Sequence, residues 1–115
     1  MNYSSGGGNL AGAAFFMTEL TPLIAQLSHA DAEIRETAWR KLRLYDEDAI
    51  EVLIDAFYAG INEVGGVAII TLVSEIGGYE ARIFLEDLLQ HPIHHDSWKH
   101  AVIEGLKFNG WDKTG

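Results

Sequence analysis

From Leu20 onward, apolar residues recur at the spacing of one helix face. Leu20, Leu23, Ile24 and Leu27 stand at i, i+3, i+4 and i+7, which places their side chains on a single stripe. This predicts a first helix over about 18–28, with Pro22 suited to its first turn. Asp31 predicts the cap of a second helix, over about 31–45, with the stripe Ile34, Ala38 and Leu42. A third is predicted over about 47–58 on Ile50, Leu53, Ile54 and Phe57, and a fourth over about 62–76 on Val64, Ala68 and Leu72. Gly77-Gly78 ends the fourth, because glycine reaches the left-handed conformations that close helices. A fifth helix is predicted over about 79–90 on Phe84, Leu85 and Leu88. The sixth covers about 96–108 on Trp98, Val102 and Leu106, with Asp96 as its cap.

The stripes repeat. Leu23, Ile24 and Leu27 correspond to Leu53, Ile54 and Phe57 thirty residues on, and to Phe84, Leu85 and Leu88 thirty-one further. Ile34, Ala38 and Leu42 correspond to Val64, Ala68 and Leu72 at the same period, and to Trp98, Val102 and Leu106 at thirty-four. The longer turn His91-Pro92-Ile93-His94-His95 accounts for the slip. The expected fold is therefore all-α, an α-solenoid of three helical hairpins, each burying its apolar face on its neighbour. Residues 1–16, with three consecutive glycines in Gly6 to Gly8, read as a flexible N-terminal extension, and 17–115 as the folded domain. Met17 stands where a native start is expected. The alternative is that the apolar piece Leu10 to Phe16 packs on the domain.

Composition narrows the partners. The 115 residues carry 17 acidic and 8 basic side chains, a net charge of −9, so a nucleic-acid partner is not expected, because phosphates are bound by clustered cations. No apolar run approaches the ~18 residues of a membrane span, so no membrane partner is expected either. The chain has no cysteine, which excludes disulfides, thiolate catalysis and Cys-ligated zinc. The expected location is cytoplasmic.

Little in the chain points to catalysis. His91, His94, His95 and His100 fall within ten residues, with Asp96 among them. Imidazoles and a carboxylate can hold zinc or iron, but His95 and His100 straddle a helix start at a poor chelate spacing, so no metal is expected. Gly6-Gly7-Gly8 lacks the lysine and the glycine spacing of a phosphate loop. No serine sits in a recognisable nucleophile turn. No catalytic residue and no cofactor is expected. Arg35, Arg40, Lys41 and Arg43 form a basic cluster, which reads as a solvated helix face paired with Glu33, Glu36 and the carboxylates from Asp46 to Glu51, Glu36 and Arg40 having the i, i+4 spacing of a helix pair. Trp39 and Trp98 read as packing residues, and Trp111 as a cap after the last helix.

The segment Asp31-Ala-Glu-Ile34-Arg35-Glu-Thr-Ala38-Trp-Arg-Lys-Leu42 resembles the short HEAT-like repeat of the phycobilisome-lyase type. That unit has an apolar first helix, then an Asp-led second helix with branched-apolar, Ala and Leu every fourth residue, and a closing Gly. Ile34-Arg35 stands where the family has Val-Arg. The second copy departs with Gly65 in place of the Arg, and the third with Trp98-Lys99 there and Val102 for the Ala. The resemblance covers about residues 18–110. It implies a protein-binding adaptor, with a protein, a peptide or a second copy of the chain as partner. A subunit related to the bilin lyases is the alternative, although no residue matches a catalytic group of those enzymes. The iron-binding HEAT-like hydroxylases use His-Glu dipeptides, and this chain has none. A third reading is an immunity-type inhibitor masking a basic toxin, with an acidic patch around Asp46, Glu47, Asp48, Glu51 and Asp55.

Matching positions across the copies aligns Glu36, Arg40 and Arg43 with Gly66, Ile70 and Val73, and with His100, Glu104 and Lys107. In a HEAT-like stack these nine positions form the concave inner-helix surface. The fourth helix is apolar nearly all round, so the expected binding face has an apolar centre at Gly66, Ile70 and Val73 and a charged rim.

Overall fold

The computed structural model describes residues 19–91 and 93–112. The expected extension 1–16 and the start at Met17 lie outside these residues. Among the described residues the chain is all-helical, with no strand, and no helix is long and apolar enough to cross a membrane.

The first helix, α1, covers 19–26. Next comes α2, Ala32–Tyr45. The Asp31 carboxylate accepts from the Glu33 amide at 2.9 Å, satisfying one of the free N–H groups at the helix start. Arg35 donates to the carbonyls of His29 and Ala30 at 2.7 and 3.0 Å, fixing the turn before the helix. At the far end Asp46 turns the chain at φ 54°, and a single 3₁₀ turn, Asp46–Ala49, leads into α3, Ile50–Ala59. The third helical segment thus begins as 3₁₀. With no loop between α2 and α3, the chain reverses within one tightened turn.

The remaining helices are α4, Glu63–Ile76, α5, Tyr79–Gln90, and α6, Asp96–Phe108. Asn62 caps α4 by accepting from the Gly65 amide at 2.8 Å. Asp96 does not cap α6 as expected. His95 holds the cap position without a side-chain bond, and Asp96 is the first helical residue, where its charge meets the positive end of the helix dipole.

One core cluster joins all six helices. Leu20, Ile24, Leu27, Ala38, Leu42, Leu53, Phe57, Phe84, Leu85, Leu88, Trp98, Val102 and Leu106 are buried, as their stripes predict. Leu23, Ile34 and Ile54 are half-buried, and the stripe of α4 departs furthest. Leu72 is buried, Ala68 is half-buried and Val64 is exposed.

The centre of the packing is α4, flanked by α2 and α6 and backed by α3 and α5. Its contact with α6 is the closest. The two helices run parallel, with the Trp98 indole donating from Nε1 to the Glu63 carbonyl at 2.8 Å near their starts. Near their ends, Asn109 donates from Nδ2 to the Ser74 carbonyl at 2.9 Å. Between these bonds Gly105 of α6 lies against the Ser74 hydroxyl. After α6, Trp111 is half-buried against the core with the Arg82 guanidinium 6.0 Å from its ring centre.

Candidate binding surface

The nine expected surface positions divide. Glu36, Arg40, His100, Glu104 and Lys107 are exposed, and Arg43 is half-buried. The expected apolar centre is not at the surface. Ile70 and Val73 have no exposed area, and Gly66 is buried beneath the Trp98 indole. The physical reason lies in the neighbours. Position matching transfers spacing along the chain but not the rotation of each helix about its axis. With helices on either side and behind, α4 turns Ile70 and Val73 into the core. Its open arc is instead Val64, Val67, Ala68, Thr71 and Glu75.

That arc forms the middle of a different surface on the same side of the molecule. A groove of about 680 Å³ runs between α4 and α6, floored by Val67, Thr71, Ala101 and Phe108, with Glu75 and Glu104 among its edges. A second groove, of about 550 Å³, runs between α2 and α4 past Trp39, Val64 and Ala68. The two grooves share Val67 and Ser97. Phe108 is 69% exposed and Val64 46%, so the strip presents apolar groups to water at both ends. Sequence reading missed Val64 and Ala68 because their i, i+4 spacing matched the buried stripes. Thr71 and Glu75 lie on the open side of α4, but Ser74, also polar, is buried, so the polar residues of the helix did not single out that side.

The charges beside this strip are largely paired within the chain. Arg40 reaches Glu36 at 3.3 Å, and Lys107 reaches Glu104 at 3.9 Å. Arg43 bridges Asp46 at 2.9 Å and Glu75 at 3.4 Å, tying α2 to α4. Of the four cations in the basic cluster of α2, Arg40 and Arg43 are thus paired with carboxylates, and Arg35 bonds backbone carbonyls instead.

The histidines do not converge. His91 meets Asp87 at 3.1 Å, His95 meets Glu63 at 3.5 Å, and His94 and His100 lie exposed elsewhere. Among the described residues no group of three or more His, Asp or Glu side chains could hold a metal ion. Ser74 donates to the Ile70 carbonyl at 2.6 Å within its own helix, and Ser97 donates to the Glu63 carboxylate at 2.7 Å. Burial, together with the hydrogen bond it donates to Asp87, pushes the Tyr58 phenol up to about 12. The bond from Tyr45 to the Glu19 carboxylate raises the Tyr45 phenol above its ordinary value.

Comparison with family models, with curated proteins and with solved structures found no match to the chain.

Proposed function

We propose that the chain is a non-catalytic protein-binding module, built as three stacked HEAT-like hairpins, that docks an amphipathic helix of a partner protein along α4. The observation that carries this reading is the apolar strip from Val64 to Phe108, open to water between two grooves. Soluble proteins seldom leave such strips uncovered. The groove between α4 and α6 follows two parallel helices, a shape that accepts anchors at i, i+3, i+4 and i+7 from a third. Its edge carboxylates Glu75 and Glu104 already have Arg43 and Lys107 as partners. Affinity then comes from apolar burial, and salt has little effect on it.

Selection of displayed amphipathic helical peptides against the purified chain tests the proposal. The expected binders are one-to-one, hold their affinity in raised salt, and lose roughly tenfold or more, about 1.4 kcal/mol, with Phe108→Ala or Thr71→Arg. Binders indifferent to both substitutions would sink it. So would sedimentation showing a dimer broken by Thr71→Arg, which would make a second copy the occupant.

A further inference from the structure

The opposite side of the molecule carries a groove of about 430 Å³ between α3 and α5. Its floor is Ile54, Ile83 and Phe84, with Ile83 47% exposed. Glu51 and Asp55, at i and i+4, line one side from α3, and Glu80 and Asp87, at i and i+7, line the other from α5. No Lys, Arg or His stands between Arg43 and Arg82, a stretch holding eight carboxylates from Asp46 to Glu80. Arg82 is engaged with Glu86 at 3.0 Å and lies over Trp111. Asp87 accepts from Tyr58 and meets His91. Among the described residues, no hydrogen bond or ion pair engages the side chains of Glu51, Asp55 and Glu80.

We infer that this groove is a second docking site, which takes a Lys/Arg-rich segment of a partner protein with an apolar side chain between its cations. The apolar floor flanked by carboxylates from both helices is the complement of such a segment. Glu51, Asp55 and Glu80, unlike Glu75 and Glu104 of the first groove, have no cation partner among the described residues, so an arriving Lys or Arg displaces none of these. The apolar side chain covers Ile83, and the cations face Asp55 and Glu80. Attraction between exposed charges of opposite sign speeds encounter and is screened by salt. Binding here is therefore salt-sensitive, in contrast to the site along α4.

The test is fluorescence anisotropy with a labelled peptide carrying a Lys–Arg pair on each side of a leucine. Saturable one-to-one binding that weakens as salt rises is expected. The pair of reversals Asp55→Lys and Glu80→Lys should weaken it by more than about tenfold, and Ile83→Ser by roughly threefold or more, each of these sites being exposed. Phe108→Ala should change nothing, which separates this site from the first. If the reversed protein misfolds by circular dichroism, Asp55→Asn with Glu80→Gln replaces it, with a loss in the same direction expected. Unchanged affinity in the charge variants would overturn the inference. So would binding unaffected by Ile83→Ser and matched by spermidine or oligolysine, which would mean diffuse attraction to an acidic surface. An equal loss with Phe108→Ala would overturn it as well, placing the peptide in the groove between α4 and α6.

Discussion

The Trp98 indole lies directly over Gly66, in the space a side chain at that position would occupy. The same ring donates to the Glu63 carbonyl one turn earlier. A glycine in a helix interior is destabilising by about 0.5–1 kcal/mol relative to alanine. Here the missing Cβ is what lets α6 approach α4.

Gly66→Ala should therefore destabilise the protein despite the better helix propensity of alanine. Overpacking of a filled site typically costs about 1–3 kcal/mol, which outweighs the propensity gain. The atoms in the way belong to the pyrrole edge and fused ring of the indole, which phenylalanine lacks. Trp98→Phe should be destabilising alone, through loss of the bond to Glu63, yet should absorb part of the Gly66→Ala penalty. Urea denaturation of the two single variants and the double variant reads that coupling directly. Strict additivity would refute the contact.

A second close approach behaves alike. A Cβ at Gly105 would meet the Ser74 side chain, chiefly its hydroxyl. Gly105→Ala should lower the melting temperature, and Ser74→Ala in the same chain should restore part of it. Ser74→Ala alone should change stability little, because the Ile70 carbonyl it releases belongs to a helix that already uses it.

The boundary between core and binding strip can be checked with two alanine substitutions. Ile70→Ala should cost about 2–5 kcal/mol, the usual range for emptying a filled interior site. Phe108→Ala should stay within about 0.5 kcal/mol, as exposed positions do. Chemical denaturation reporting similar losses for both would mean that Phe108 is covered by the chain itself.

Alkaline titration addresses Tyr58. Its phenol is pushed up to about 12, first by burial and then by the bond to Asp87. A folded-state value above the unfolded one means that the proton is held more tightly in the folded protein. Its contribution is fully present below the ordinary phenol value of 10.0 and is lost as pH rises through about 12. Tyrosinate absorbance should show a late-titrating group that Tyr58→Phe removes. Tyr45, also raised, should remain in that variant.

The sequence by itself determined where the helices lie. Asp31 and Asn62 cap, Gly77 closes, and the apolar stripes of α1, α2, α3, α5 and α6 face the core, with all their members buried except the half-buried Leu23, Ile34 and Ile54. These are local properties, set within a turn or two by side-chain periodicity and backbone hydrogen bonding. The charged members of the expected surface, such as Glu36 and Glu104, were also legible, because a charge with no buried partner stays in water. What only the tertiary structure decided is the rotation of α4. Its residues are apolar nearly all round, so their pattern does not single out one face. Neighbours on both sides and behind selected Ile70 and Val73 for the core and left Val64, Val67 and Thr71 open. Gly66 and Gly105 show the same limit. A missing side chain carries no pattern of its own, and its meaning appears only when another residue, Trp98 or Ser74, fills the space it leaves.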